Sequence, residues 1–190
     1  MMQTRPTQPE TLGADLRAIR KARGKTLAEV AVTLGRSVGW LSQVERDLSV
    51  LSGGDLRRIA GALAVPVSIL SGRADAPTHE TGYVVRRGRG RRIGPDVAGL
   101  TEELLSPDLT DDFEVVHSTF DPGAKTADPV CRPTQEVAYL ISGRLDLVIG
   151  GKTFTINSGD SFRIRAEPYE WANPYPDPAV AIWVIAPPVY

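Results

Sequence analysis

The sequence contains very little cysteine and histidine. Cys131 is the only cysteine, and His79 and His117 are the only histidines among the 190 residues. A disulfide within the chain, a cysteine-rich zinc site and a site built from three histidines are therefore excluded. The longest uncharged apolar run, 179–186, has eight residues, whereas a membrane-spanning helix needs about 18. The first residues also lack the apolar stretch of a secretory signal, so we expect a cytoplasmic protein without a membrane partner.

The net charge of −1 conceals an uneven distribution of charge along the chain. Residues 1–73 include 11 basic and 6 acidic residues, residues 74–95 include 5 and 2, and residues 96–190 include 6 and 15. A basic first half is typical of a domain that binds a polyanion. Two unrelated surface compositions are the alternative explanation.

Hydrophobic patterning divides the chain into a helical part and a strand part. Apolar residues recur at helical spacing over 27–34, and Thr26 and Glu29 form a capping box in front of them. After residue 83, apolar and polar residues alternate, which is typical of strands. The predicted regions are an all-α domain at 10–71, a linker at 72–82 and an all-β domain at 83–190.

The strand part contains several short apolar segments separated by Gly, Asn, Ser and Pro turns. Many short strands at this spacing favour a sandwich or a barrel. The predicted strands lie at 83–85, 113–116, 136–141, 145–149, 154–156 and 179–185.

The helical part contains two helices joined by a tight turn. The second helix is predicted at 26–34 and the third at 37–46, and Gly35 suits the turn because it has no Cβ. The third helix would bury Leu41 and Val44 against the second. Its opposite, exposed face consists of Val38, Gly39, Ser42, Gln43 and Arg46.

This exposed face suits the major groove of DNA, which accepts an α-helix. Gln43 can form two hydrogen bonds with an adenine, and Val38 can touch a thymine methyl group. Ser42 can hydrogen-bond to more than one kind of base. Arg36 and Arg46 are better placed for phosphates, which fix the register of a protein on DNA without reading its sequence.

The stretch 27–46, followed by 56–63, resembles the XRE/Cro/phage-repressor family of helix-turn-helix domains. In that family an arginine of the first helix pairs with the glutamate that ends the recognition helix and also approaches a phosphate. Arg20 and Glu45 occupy these positions, and Asp47 replaces the glycine that follows the recognition helix. The predicted DNA-binding residues are Arg20, Arg36, Ser37, Val38, Gly39, Ser42, Gln43 and Arg46.

Five arginines lie within residues 86–92. Arginines interleaved with glycine could follow the phosphates of a nucleic acid. We favour the alternative, a first strand of the β domain whose arginines are solvated.

Two stretches of the β part, 122–143 and 159–173, resemble the two cupin motifs. The resemblance covers roughly residues 83–190 and implies a double-sheet jelly roll with a central cavity. Many cupins bind a metal through two histidines and a glutamate of the first motif and a histidine of the second.

Glu136 is the one residue here that matches this ligand set. In the first motif, the two histidine positions are occupied by Pro129 and Cys131, or by Val130 and Arg132. In the second motif, the histidine position is occupied by Tyr169. We therefore expect no metal and no other cofactor. A site rebuilt from His117, Cys131 and Glu136 would need a geometry foreign to the family.

The expected cavity has polar and aromatic walls. If the resemblance places Glu136 inward, strand alternation turns every second residue of that strand inward as well. Such a pocket is the usual small-molecule site, although the same side chains could simply fill a dry barrel. The predicted ligand-binding residues are Arg132, Glu136, Tyr169, Trp171 and Asn173.

The combination resembles the XRE–cupin transcriptional regulators, in which a DNA-reading domain is joined to a barrel that senses a small effector. The resemblance implies a homodimer, rather than an enzyme, with two recognition helices about 34 Å apart on a pseudo-palindromic operator in double-stranded DNA. Two alternatives stay open, a cupin-type metalloenzyme with a DNA-binding appendage and an antitoxin-like module that binds a partner protein.

Overall fold

The computed structural model describes residues 11–65, 67–71, 79–80, 82–93, 97–109 and 111–189. The chain divides into two compact units, Met1–Val84 with Pro107–Thr110, and Val85–Ser106 with Asp111–Tyr190. The first unit is helical and the second is built from strands, as the patterning predicts. Most of the predicted linker at 72–82 lies outside the described residues.

Five helices form the described part of the first unit. Leu16, Ile19, Val30, Leu41 and Ile59, from the first four helices, are almost completely buried. Burial of each such side chain contributes about 1.5–3 kcal/mol. The helices are α1 (Leu12–Ala22), α2 (Leu27–Leu34), α3 (Val38–Val44), α4 (Gly53–Leu63) and α5 (Val67–Ser71).

Polar caps fix the starts of the helices at the predicted positions. Thr26 and Glu29 form a complete capping box before α2. The Ser37 hydroxyl accepts a hydrogen bond from the Trp40 backbone N–H (3.1 Å) and caps α3. Before α4, the Asp55 backbone N–H donates to the Ser52 hydroxyl (3.0 Å), and this hydroxyl donates to the Asp55 carboxylate (2.6 Å).

The end of α3 differs slightly from the predicted end at Arg46. Regular helix ends at Val44, and a tightened turn follows in which the Leu48 N–H donates to the Gln43 carbonyl (2.9 Å). The Asp47 N–H donates to the Val44 carbonyl (3.0 Å), and Asp47 has a φ of 58°. This pattern is a Schellman motif, which commonly contains glycine at the position that Asp47 occupies.

The Asp47 carboxylate compensates for this left-handed backbone. Its Oδ1 accepts a hydrogen bond from the backbone N–H of Gly13 in the first turn of α1 (2.9 Å). A Cβ on Gly13 would lie 2.5 Å from the Val44 carbonyl oxygen, so only glycine allows α1 to approach so closely. Asp47 thus joins the end of α3 to the start of α1.

The second unit contains two antiparallel sheets, consistent with the predicted jelly roll. One sheet has six strands in the order β1-β2-β3-β9-β4-β7, and the other has three in the order β6-β5-β8. The strands are β1 (Arg91–Ile93), β2 (Leu100–Leu104), β3 (Glu114–Phe120), β4 (Gln135–Ser142), β5 (Arg144–Ile149), β6 (Lys152–Asn157), β7 (Ser161–Arg165), β8 (Tyr169–Ala172) and β9 (Ala179–Ala186).

Strand β9 lies between β3 and β4 and sets the register of the interior. Ile185 pairs with Glu114 of β3 on one side and with Glu136 of β4 on the other. Alternate residues along all three strands are buried, starting from these positions. Three adjacent strands therefore direct matched rows of side chains into the barrel.

The predicted strand at 83–85 is wrong. The backbone N–H groups of Tyr83 and Val84 both donate to the Glu80 carbonyl, which folds this segment into a turn with exposed side chains. The first strand begins instead at Arg91 within the arginine run. The patterning also gave no strand at β2 or β7.

Candidate functional site

The exposed face of α3 is the candidate DNA-binding surface. Leu41 and Val44 are buried on the other side of this helix, as predicted. Gln43 and Arg46 are exposed, and the Val38 side chain is 46% exposed. Gly39 is exposed and Ser42 is partly so. The structure thus gathers these five predicted residues on one accessible surface.

A buried ion pair fixes the position of α3 relative to α1. The Arg20 guanidinium donates through Nε and Nη2 (2.8 Å) to the two Glu45 carboxylate oxygens. Its Nη1 donates to the Lys25 carbonyl (2.8 Å). The hydrogen bonds with Glu45 raise the pKa of Arg20 above its ordinary value. Arg20 thus positions the recognition helix, and its predicted phosphate contact stays a prediction.

Arg36 is held beside the N-terminus of α3. Its Nη2 donates to Asp55 Oδ1 (3.0 Å), and its guanidinium carbon lies 4.9 Å from the centre of the Trp40 ring. Hydrogen bonds from Ser52 first, and then from Arg36, lower the pKa of Asp55. The guanidinium is thus pre-oriented while its side chain stays 44% exposed. Ser37, whose hydroxyl caps α3, is exposed next to it.

Glu136 points into the barrel, as the resemblance implied. Its side chain is buried, and its Oε1 accepts a hydrogen bond from the Thr134 hydroxyl (2.6 Å). Its other oxygen, Oε2, has no hydrogen-bond partner in the described part of the chain.

Two further interior carboxylates, Glu102 and Glu114, were missed by the sequence analysis. Burial raises the pKa of Glu114 to about 7, and burial also raises the pKa of Glu102, which accepts a hydrogen bond from the Ser118 hydroxyl (3.0 Å). Strand alternation over 114–120 could have indicated Glu114, but both faces of that segment mix polar and apolar residues.

Arg132 is the cation nearest to these carboxylates. Its charge lowers the pKa of Glu102, of Glu114 and of Tyr169. It forms no ion pair with any of the carboxylates in the described residues. Burial of the Tyr169 hydroxyl, the largest influence on that residue, raises its pKa well above the ordinary value.

The aromatic and amide residues of the predicted pocket lie elsewhere in the interior. Trp171 packs edge-on against Phe120, with ring centres 4.7 Å apart. The Asn173 side-chain amide donates to the Phe120 and Asp177 carbonyls and accepts from the Tyr175 N–H (2.9, 3.0 and 3.1 Å). Asn173 therefore fastens the segment before β9, and both of its amide N–H groups are used by backbone carbonyls.

The residues present do not fit the metal that the cupin resemblance suggests. No group of three or more His, Cys, Asp or Glu among the described residues could hold a metal ion. Cys131 is exposed, and its thiol faces the Ala166 carbonyl (3.6 Å). Glu102, Glu114 and Glu136 lie on three different strands of one sheet, and they do not form a group that could hold a metal ion.

Within the described residues, no helix is long and apolar enough to cross a bilayer.

Comparison with known proteins agrees with this division of the chain. A helix-turn-helix domain model matches residues 11–68, and a cupin domain model matches residues 116–185. The transcriptional regulator ClgR of Mycobacterium tuberculosis is 29% identical over 99 residues, which cover 52% of this chain and 88% of ClgR.

Two regulators are among the solved structures that match this chain. An HTH_3-family transcriptional regulator of Vibrio cholerae has 20% identity, a TM-score of 0.46 and coverage of 94% of this chain and 96% of its own. The cupin domain of an XRE-family transcriptional regulator of Enterobacter cloacae has 24% identity, a TM-score of 0.42 and coverage of 48% and 99%.

The helical unit and the barrel together define a helix-turn-helix protein with a cupin domain. This combination of domains is similar to that of helix-turn-helix transcriptional regulators with a C-terminal cupin domain.

Proposed function

We propose that this regulator binds a specific operator through α3 and responds to a small effector bound in the barrel. The exposed face of α3, held in place by the buried Arg20–Glu45 pair, carries this proposal. A helix that is rigidly positioned loses little conformational freedom when it enters the major groove.

Some side chains on this face would contact base edges, and others would bind phosphates. Gln43 would pair with an adenine, and Val38 would contact a thymine methyl group. Arg36 and Arg46 would bind phosphates, with Arg36 already oriented by Asp55.

The regulator would act as a homodimer, because one seven-residue helix reads only a few base pairs. The outward face of β4 and β9 offers a surface for a second copy. Val137 and Tyr139 are 50% and 51% exposed there, and Ile141 and Val184 are exposed beside them. An apolar cluster of this kind on a solvent-facing sheet is typical of an interface.

The barrel would bind the effector near Arg132, Glu136 and Tyr169. A bound effector can change operator affinity only if it favours one arrangement of the two DNA-binding units in the dimer over another. Thermodynamic reciprocity then requires that operator DNA changes effector affinity by the same factor.

Selection of binding sites from randomised duplex DNA tests the DNA-binding part. We expect the full-length chain to enrich a pseudo-palindromic sequence, and Gln43→Ala to lose about 1–3 kcal/mol of discrimination at one position of each half-site. Thr153→Ala, which alters an exposed polar residue on β6 of the other sheet, is the control. Failure to enrich any sequence would overturn the proposal.

Sedimentation tests the homodimer. Tyr139→Asp should shift the full-length chain towards monomer, because it places a charge on the proposed interface. Phe154→Asp, which alters an equally exposed aromatic residue on the other sheet, should not. A wild-type monomer at micromolar concentration would contradict the dimer.

A further inference from the structure

The barrel interior contains more negative than positive charge. Glu102, Glu114 and Glu136 face the interior, and the charge of Arg132 acts on Glu102 and Glu114. The carboxylates of Glu114 and Glu136 project from strands on either side of β9, and both residues are 1% exposed. Charges this deeply buried are unfavourable unless a partner neutralises them.

Three interior polar atoms also lack hydrogen-bond partners within the described residues. They are Glu114 Oε2, Glu136 Oε2 and Trp183 Nε1. Trp183 lies on β9 next to Ile185, between the strands that carry the two glutamates, and faces the same interior. Buried polar groups are rarely left unpaired, so these atoms indicate a bound polar molecule.

The free atoms define the chemistry of that molecule. Two are carboxylate oxygens, which accept hydrogen bonds and attract positive charge. The third is an indole N–H, which would donate to an acceptor atom elsewhere on the same molecule. The glutamates do not form a metal-binding group, so an organic nitrogen cation suits them better than a metal ion.

We propose that the barrel binds a small organic cation whose ammonium or amidinium N–H groups donate to Glu114 and Glu136. The inference rests on the proposed effector function in that it names the ligand class for that site. Charge-assisted hydrogen bonds between N⁺–H and carboxylate are the strongest available to either oxygen. A bound cation would also offset the excess of interior carboxylates.

Calorimetric titration of the full-length chain with three four-carbon probes tests this proposal. The probes are n-butylammonium chloride, n-butanol and sodium butyrate, which share a chain and differ in charge. We expect n-butylammonium to bind at least about tenfold more tightly than the other two, which corresponds to about 1.4 kcal/mol. Sodium chloride at the same ionic strength is the salt control.

Glu136→Gln should weaken n-butylammonium binding about tenfold, whereas Glu170→Gln should leave it unchanged. Glu170 is exposed on β8, so its substitution makes the same change of charge outside the interior. Preferential binding of butyrate or butanol, or no binding of any probe to the wild type, overturns the proposal. Because operator selection is measured without a probe, these results are independent of the test of DNA binding.

Discussion

The helical unit and the barrel differ in whether their buried charged groups have hydrogen-bond partners. In the helical unit, Arg20 and Glu45 satisfy each other through two hydrogen bonds. In the barrel, Glu114 and Glu136 each leave one oxygen without a partner among the described residues. Internally paired charge fixes geometry, whereas charge without a partner is available for binding. The first arrangement suits the positioning of a recognition helix, and the second suits a ligand site.

Of the substitutions that test this difference between the two units, we expect Glu45→Ala to lower stability the most. Removing one partner leaves the Arg20 guanidinium buried and unpaired, so the helical unit should lose about 3–5 kcal/mol of stability. Urea unfolding followed by helical circular dichroism measures the loss. The double variant Arg20→Met/Glu45→Leu should recover most of it, because it buries no charge. A loss below about 1 kcal/mol for Glu45→Ala would contradict the positioning role.

Glu114→Gln tests the unpaired carboxyl groups of the barrel, because it should change how the stability of the barrel depends on pH. The folded-state pKa of Glu114 is about 7, above the ordinary value near 4.3 for an unfolded chain. Between these pH values the folded state retains a proton that the unfolded state has released. The stability contributed by this group is therefore full below about pH 4 and lost as pH rises through 7.

Glu114→Gln should make the free energy of unfolding less dependent on pH. Between about pH 4 and pH 7, its stability relative to the wild type should rise by up to about 1.4 kcal/mol per pH unit. Unfolding of the barrel at pH 4.5, 6 and 8, followed by β-sheet circular dichroism, checks the prediction. Glu170→Gln is the exposed control and should run parallel to the wild type. Parallel profiles for Glu114→Gln and the wild type would show that burial does not raise the pKa of Glu114.

Asp47 gives the smallest expected effect. Asp47→Ala keeps a left-handed residue but loses the hydrogen bond to the Gly13 N–H, so we expect a loss of about 1–2 kcal/mol. Asp47→Gly loses the same bond but relieves the backbone, so its loss should be smaller by about 1 kcal/mol. The order of the two variants in urea unfolding is the decisive observation. Equal losses of stability in the two variants would mean that the left-handed backbone at position 47 is not strained.

The helical unit was largely predictable because its signals are local. The capping box at Thr26, the turn at Gly35 and the buried face of α3 each depend on residues within about one or two helical turns. The Arg20–Glu45 pair came from the family resemblance, because nothing local joins residues so far apart. The bond from Asp47 to Gly13 was missed for the same reason.

The barrel was less predictable because its site depends on strand register. Glu114 and Glu136 become neighbours only because both pair with Ile185, which neither segment reveals by itself. The turn at Tyr83 was mistaken for a strand because its composition is β-like, although its N–H groups bond to Glu80. Asn173 was expected to face a ligand, but its amide is used by nearby backbone groups.

The central place of β9 in its sheet makes the barrel dependent on the last strand that the structure describes. The sheet without β9 would consist of two separate pieces, β1-β2-β3 and β4-β7. Proteolytic loss of residues after Pro178 should accordingly unfold the barrel and leave the helical unit folded.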